Sequence, residues 1–184
     1  PVAVETVSPA SLARRLQATD SVRLLDLRNR DEIAAWRIDG PSVTRTDIPY
    51  TKFMQASVQG TVADLAAEVD GEGPIVVVCA EGDASHYVAG LLEEAGYEAR
   101  NLEAGMEGWA RVYVANPLQP TAPTVIQYRR PSSGCLAYLL VDDGEAVVVD
   151  PLRQFVDRYV DDVAARDAEL VAVVDTHVHA DHVS

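Results

Sequence analysis

Residues 75–85 read IVVVCAEGDAS, and this stretch decides the fold of the first part of the chain. Four β-branched residues in a row suit a parallel strand that is buried on both faces. Cys79 follows this run directly, and a helical pattern extends from Ser85 to Ala95 and ends at Gly96. The stretch therefore predicts a strand, a cysteine-containing loop and a helix, which is a building unit of α/β folds.

The same alternation of strands and helices continues on both sides of this unit. Ser8 is positioned to cap a helix that has Pro9 at its first position. The other predicted elements are strands at Val22–Leu27 and Arg100–Leu102, and helices at Thr61–Val69 and Met106–Arg111. We predict a small α/β domain with a mainly parallel sheet over residues 1–114.

Residues 115–123 carry three prolines and are predicted to be a linker. After the linker, over residues 124–184, the sequence pattern predicts mostly strands. Strands are predicted at Val125–Tyr128, Leu136–Val141, Ala146–Val149 and Leu170–Val174, with an amphipathic helix at Arg153–Ala165. The sequence DDGE at 142–145 is typical of a hairpin, and the last of these strands is expected to be buried.

Composition limits the classes of partner. The 184 residues carry a net charge of −14, which disfavours nucleic acid and anionic membranes. No apolar run approaches the roughly 20 residues that span a bilayer, and no secretory signal is visible, so we expect a cytoplasmic protein. Fourteen arginines accompany a single lysine, Lys52, and this acid-rich, lysine-poor composition is similar to that of halophile proteins. An acidic protein from a GC-rich genome is the alternative. Two cysteines, Cys79 and Cys135, are expected to be reduced. Cys135 is expected to lie on a strand and to pack in the core, and a chemical role is the alternative.

Cys79 is the candidate catalytic residue. A loop between a strand and a helix can direct its backbone N–H groups at the sulfur, and the helix adds its positive end. The loop that would bind the substrate or an anion is formed by Ala80, Glu81, Gly82, Asp83, Ala84 and Ser85. The alternative is that Cys79 is a small buried hydrophobe without a chemical role.

A wider set of residues resembles the rhodanese-like family. Residues 24–28 with Glu32 are similar to the opening strand of that domain, and residues 76–82 with Ser85 are similar to its active-site loop. The other matching positions are Leu91, Gly96, Tyr97, Leu102 and the sequence GMEGW at 105–109. The resemblance covers about residues 5–113 and implies that Cys79 carries a persulfide sulfur between a donor and an acceptor.

The loop departs from the family pattern in its charges. Ala84 stands where active members usually have arginine, and Arg37 stands where many have histidine. Glu81 and Asp83 disfavour a thiolate and repel anions such as thiosulfate, so we expect a neutral or bulky thiol acceptor, or a degenerate regulatory domain. Phosphatase chemistry is disfavoured because Ser85 occupies the position of the phosphate-gripping arginine. His86 is expected to lie on a helix face without a catalytic role, and the alternative is a proton partner of the thiolate.

A second candidate site is the histidine cluster that follows the last predicted strand. His177, His179, Asp181 and His182 can converge on one metal, because imidazoles and a carboxylate are the ligands of zinc and iron sites. A tag or an adventitious surface site is the alternative, although the mixed sequence after a core strand favours a genuine motif.

Residues 124–184 resemble the N-terminal portion of the metallo-β-lactamase fold, an αββα sandwich. The motif THVHADH at 176–182 is similar to the loop of its persulfide dioxygenase and glyoxalase II branch, and residues 135–140 and 147–151 to its first strands. The first branch implies one Fe(II) with His177 as a ligand. The second implies two metals such as Zn(II), with His177 and His179 on one and Asp181 and His182 on the other. The remaining ligands of that fold lie downstream, so we expect a truncated domain with an incomplete site and weak or no metal in this chain.

Three functions follow from these resemblances. The leading hypothesis is a rhodanese-like sulfur carrier coupled to a metal-dependent persulfide dioxygenase, acting on a small thiol or persulfide. The fusion would keep a reactive intermediate at high effective concentration. The second is a glyoxalase II-type hydrolase of thioesters with an accessory rhodanese domain, and the third is a degenerate rhodanese docking module. The missing downstream part of the second domain is the expected macromolecular partner.

Overall fold

A computed structural model describes residues 3–119 and 121–177, which divide into two units at Val112 and Tyr113. The predicted strand at residues 75–78 is confirmed and lies at the centre of the first unit. All four of its residues are fully buried, as expected for a strand covered on both faces. It belongs to a five-stranded sheet in which every pair of neighbours is parallel.

The sheet of the first unit has the order β1-β5-β4-β2-β3. Its strands are β1 (Glu5–Val7), β2 (Val22–Asp26), β3 (Val43–Asp47), β4 (Ile75–Val78) and β5 (Ala99–Leu102). Its helices are α1 (Pro9–Gln17), α2 (Arg30–Ala35), α3 (Tyr50–Gln59), α4 (Val62–Ala66), α5 (Asp83–Glu94) and α6 (Gly105–Ala110). The expected α/β fold with a parallel sheet is confirmed.

A buried ion pair fixes the end of β2 beside the end of β4. Arg28 Nη2 lies 2.7 Å from Asp26 Oδ2, and the two side chains are 3% and 0% exposed. The backbone N–H of Arg28 also donates to Asp26 Oδ1, and Leu27 N–H donates to the carbonyl of Val78. Buried charges persist where they are paired and hydrogen-bonded, so this pair holds the strand end in one conformation.

The second unit is a five-stranded mixed sheet with one long helix. Its strands are β6 (Val114–Gln119), β7 (Thr124–Arg129), β8 (Leu136–Asp142), β9 (Glu145–Val149) and β10 (Glu169–Val174), in the order β10-β9-β8-β7-β6. A 3-10 turn at Arg153–Phe155 leads into α7 (Val156–Ala164). The predicted hairpin is confirmed, because Asp143 and Gly144 both have positive φ between β8 and β9. The mixed sheet does not by itself establish a metallo-β-lactamase fold.

Tyrosines form the centre of this second unit. Tyr113 stacks on Phe155 with ring centroids 4.0 Å apart, and Tyr159 meets Tyr128 edge-on. The hydroxyl of Tyr159 accepts the N–H of Leu152 at 3.0 Å and lies 2.5 Å from the hydroxyl of Tyr113. Burial raises the pKa of Tyr113, Tyr128 and Tyr159 above their ordinary value.

Three sequence predictions for this region are corrected. Most of the predicted linker, residues 115–123, forms β6, since an edge strand with a bulge after Pro117 tolerates a residue that lacks an N–H. Strand β10 is not buried: within the described residues it pairs with β9 alone, at the sheet edge, and Val173 is 55% exposed. Cys135 precedes β8 and is half-buried, so it is not a core residue of a strand, although both cysteines are free as expected.

No helix in the described ranges combines the length and apolar content that crossing a bilayer requires.

Candidate functional site

Cys79 lies at the carboxyl end of β4, in the loop that leads to α5. The backbone N–H of Gly82 donates to its sulfur at 3.0 Å, and the N–H of Ser85 donates at 3.4 Å. Gly82 has a φ of 107°, a conformation that favours glycine, and this turn directs its N–H inward. The prediction that the loop curls its N–H groups toward the sulfur is confirmed.

The donors around Cys79 favour negative charge on its sulfur. The sulfur lies at the N-terminal turn of α5, a helix of 12 residues, where unpaired N–H groups and the helix dipole attract an anion. Ser85 Oγ lies 3.2 Å from the sulfur and adds a third polar contact. Cys79 is 7% exposed, so these contacts are made in a site that largely excludes water.

A second buried polar residue supports Ser85. Its hydroxyl lies 2.7 Å from Asn101 Oδ1 and 3.0 Å from the carbonyl of Gly82. Asn101 is on β5, beside β4, and is 7% exposed. Asn101 was not predicted as a site residue. The available signal was a polar residue within a short predicted strand of the parallel sheet.

The start of α6 holds the cysteine loop from the other side. The N–H groups of Met106 and Glu107 donate to the carbonyls of Cys79 and Ala80 at 2.9 and 3.0 Å. Gly105 makes this approach possible, because a Cβ at that position would lie 2.3 Å from the carbonyl oxygen of Cys79. Close packing against the cysteine loop therefore explains the first glycine of the GMEGW sequence, Gly105.

The charged residues of the loop face solvent. Glu81 and Asp83 are exposed, Ala84 is half-buried, and the ion pairs recorded for the described ranges involve neither carboxylate. His86 is exposed on α5, as expected.

Arg37 is engaged away from the sulfur. Its Nε lies 3.1 Å from Asp39 Oδ2, and this hydrogen bond lowers the pKa of Asp39. Of the six residues predicted to form the binding loop, 80–85, Gly82 and Ser85 contact the sulfur of Cys79, and the described contacts place no cation there.

The histidine cluster is described only at its first member. His177 Nδ1 lies 2.8 Å from Thr176 Oγ1, and Asp150 accepts hydrogen bonds from both the N–H and the hydroxyl of Thr176, at 2.7 and 2.6 Å. His179, Asp181 and His182 lie outside the described residues. Among the residues that are described, no three histidine, cysteine, aspartate or glutamate side chains gather closely enough to hold a metal.

Comparisons with known proteins concern the unit that contains Cys79. Residues 8–112 match the family model described as the rhodanese-like domain. The thiosulfate sulfurtransferase GlpE of Tolumonas auensis is 34% identical over 89 residues, which are 44% of this chain and 84% of that protein. The GlpE protein of Pseudomonas aeruginosa is 37% identical over 57 residues, 30% of this chain and 52% of that protein.

Solved structures of similar proteins include two in which the matched region makes up different shares of the chain. A rhodanese-like domain protein from Staphylococcus aureus is 24% identical, with a TM-score of 0.44, over 58% of this chain and 91% of that one. A NAD-dependent persulfide reductase from A. fulgidus is 26% identical, with a TM-score of 0.40, over 58% of this chain and 16% of that one. The family match ends at residue 112, which is also the end of the first unit.

Proposed function

The chain belongs to the rhodanese-like family of sulfurtransferases over residues 8–112, and from this membership we propose that Cys79 carries a sulfane sulfur between a donor persulfide and a thiol acceptor. The observation that supports this role is the set of polar groups at the sulfur: two backbone N–H groups that donate to it at 3.0 and 3.4 Å, and the hydroxyl of Ser85 at 3.2 Å. Such a set stabilises a thiolate, the nucleophilic form of cysteine.

The transfer takes place in two displacements. The Cys79 thiolate attacks the outer sulfur of a donor persulfide, the sulfur–sulfur bond of the donor breaks, and the donor leaves as a thiol that takes up the proton of the outer sulfur. Cys79 then holds the outer sulfur as a persulfide. An acceptor thiolate attacks that sulfur, Cys79 leaves as a thiolate, and the acceptor becomes the new persulfide, so no external oxidant or reductant is needed.

The preferred donor is a low-molecular-weight persulfide rather than thiosulfate. Thiosulfate is a dianion, and it would approach a loop that carries the exposed carboxylates of Glu81 and Asp83. Relatives named thiosulfate sulfurtransferase share the family, but we expect the two carboxylates of this loop to disfavour thiosulfate as the donor for this chain.

Loading with a persulfide tests the role of Cys79. After incubation with a small thiol persulfide, the wild-type chain and Cys135→Ser are expected to gain the mass of one sulfur atom and to pass it to a thiol. Cys79→Ser is expected to do neither. Cys135 is the matched control, since it is the other free cysteine and lies outside the loop. Sulfur transfer that survives in Cys79→Ser, or a wild-type chain that never loads, would contradict the proposal and favour a docking module.

Charge-neutralising variants test the choice of donor. Replacing Glu81 by Gln and Asp83 by Asn is expected to raise kcat/KM for thiosulfate several-fold and to change that for a persulfide much less. Glu94→Gln, an exposed position at the opposite end of α5, is the control. An equal rise with both donors would show that the carboxylates do not act through substrate charge.

We also propose that the loop at residues 177–182 supplies part of an iron or zinc site, and that the second domain, once the missing downstream ligands complete this site, converts a thiol persulfide with dioxygen and water to the thiol and sulfite. The support for this proposal is the sequence motif and the anchoring of Thr176, next to His177, by the carboxylate of Asp150. The test uses the chain extended by the missing downstream ligands. Oxygen uptake and sulfite release with a persulfide, both lost in His177→Ala, are the expected results. Thiol release from a thioester without oxygen uptake would favour the glyoxalase II alternative.

A further inference from the structure

The hydroxyl of Ser85 lies at the centre of a buried network that ends at the sulfur of Cys79. It has one proton and three neighbouring acceptors: Cys79 Sγ at 3.2 Å, Asn101 Oδ1 at 2.7 Å and the carbonyl of Gly82 at 3.0 Å. Ser85 is fully buried, so water does not replace a lost partner. The direction in which this hydroxyl donates therefore decides whether it stabilises a thiol or a thiolate.

Asn101 competes with the sulfur of Cys79 for the hydroxyl proton of Ser85. With a neutral thiol, Cys79 donates to Ser85 Oγ, and the Ser85 hydroxyl donates to Asn101 Oδ1, as the 2.7 Å contact records. With a thiolate, the Ser85 hydroxyl must leave Asn101 Oδ1 to donate to the sulfur. A carboxylate at position 101 would hold the hydroxyl more strongly than the amide oxygen does, and an apolar side chain would not hold it at all.

We propose that Asn101 is a positioning residue that sets the ionisation of Cys79 through the hydroxyl of Ser85. The hydrogen-bond network exists whether or not Cys79 transfers sulfur. Only the importance of Asn101 for catalysis rests on the proposed function. Asn101 makes its recorded contact with Ser85 and none with the sulfur, so its effect requires the serine hydroxyl.

The charged groups on the elements next to the cysteine loop stay unchanged in the variants below. The loop and α5 carry Glu81, Asp83 and His86, all exposed. The end of β2 carries Asp26 and Arg28, which are paired with each other. The residues after β5 include Glu103 and Glu107, both exposed. Their fields act equally on wild type and variants, so a difference between these proteins reports the Ser85–Asn101 network.

A double-mutant cycle tests the proposal. The rate of Cys79 alkylation by iodoacetamide is measured against pH in a Cys135→Ser background, where one thiol reacts, and the midpoint of the rate profile is recorded. Asn101→Leu removes the acceptor that holds the Ser85 hydroxyl away from the sulfur, so it is expected to lower the midpoint by roughly half to one pH unit, the size expected for one hydrogen bond between neutral groups. In a Ser85→Ala background the same change is expected to leave the midpoint where Ser85→Ala alone has put it.

Controls separate this role from a merely structural one. Arg100→Gln alters the neighbouring position of β5, whose side chain pairs with Glu5 and Glu98, and is expected to leave the midpoint unchanged. Asn101→Asp is a second variant in case Asn101→Leu does not fold, and it is expected to raise the midpoint by more with Ser85 present than in the Ser85→Ala background. Equal shifts in both backgrounds, or none in either, would overturn the proposal. Alkylation needs no sulfur donor, so failure of the proposed function would appear separately, as normal midpoints without persulfide loading.

Discussion

Replacing Gly82 by Ala tests whether the backbone of the cysteine loop, rather than its sequence, activates the sulfur. Gly82 has a φ of +107°, and a Cβ there would lie 3.0 Å from the backbone nitrogen of Ala104 and 3.2 Å from its Cα. Backbone atoms of this kind cannot move aside as a flexible side chain would. The loop must therefore shift, and the N–H of Gly82 is drawn away from the sulfur that it now contacts at 3.0 Å.

Gly96→Ala is the matched control. Gly96 also has positive φ, +89°, but a Cβ there meets nothing within 4 Å. Both variants place alanine in a left-handed conformation, which costs about 1–2 kcal/mol of unfolding free energy. The sulfur contact is lost only at Gly82, and a hydrogen bond to a charged group contributes about 1.5–3 kcal/mol. That difference corresponds to a loss of about tenfold to a hundredfold in kcat/KM for Gly82→Ala alone.

The assay compares kcat/KM for sulfur transfer from a small thiol persulfide to a thiol with urea unfolding of the same variants. Similar unfolding midpoints with a large activity loss only in Gly82→Ala would support the reasoning. It would be refuted if both variants lost the same activity, because the effect would then come from general destabilisation.

Three further predictions concern the second unit. Tyr159→Phe removes a hydroxyl that accepts a hydrogen bond from a backbone N–H, and it is expected to lower the free energy of unfolding by about 1–2 kcal/mol in a urea titration. The control is Tyr97→Phe, which removes a hydroxyl whose hydrogen bond is exposed. Burial raises the pKa values of Tyr113 and Tyr128 above the unfolded value of about 10, so the free energy of unfolding is expected to fall as the pH rises above about 10. Urea unfolding at pH 8 to 11 measures this change. A constant free energy of unfolding over this range would contradict the burial of the two hydroxyls. In a chain extended by the missing downstream ligands, His177→Ala is expected to weaken Zn(II) binding at least tenfold in a competition titration with a chelator, whereas His86→Ala on α5 is expected to have no effect. Equal affinities of the His177→Ala variant and the unsubstituted chain would exclude His177 as a ligand.

The first unit was largely predictable because its signals are local. The run at residues 75–78 is fully buried, and α1 begins where Ser8 and Pro9 predict, with Ser8 Oγ accepting the N–H of Ser11. Strand β3, with the sequence VTRTD, was missed since it has no apolar run and lies at the edge of the sheet. Its parallel pairing with β2 depends on residues distant in sequence, and local patterns do not report such pairing.

The candidate site was predictable in its backbone but not in its side-chain support. A cysteine between a buried strand and a helix is enough to place N–H groups near sulfur, and Gly82 fits that turn. The contact between Ser85 and Asn101 joins residues 16 positions apart, and it depends on the order in which β4 and β5 lie in the sheet. In the second unit, the prolines of residues 115–123 led to the prediction of a linker where β6 forms. That prediction was wrong because proline is excluded from central strands but is tolerated in edge strands.

The charges of the site narrow the chemistry that this loop can support. The groups recorded at the sulfur of Cys79 are two amide N–H groups and a hydroxyl, and none carries a charge. Oriented dipoles at 3.0–3.4 Å stabilise one negative charge on the atom that they surround, but their effect declines quickly with distance. Glu81 and Asp83 are exposed on the same loop and act on a substrate before it reaches those dipoles. A site built in this way favours donors and acceptors whose reacting sulfur carries at most a single charge, and it attracts a dianion less than a loop with a cation would.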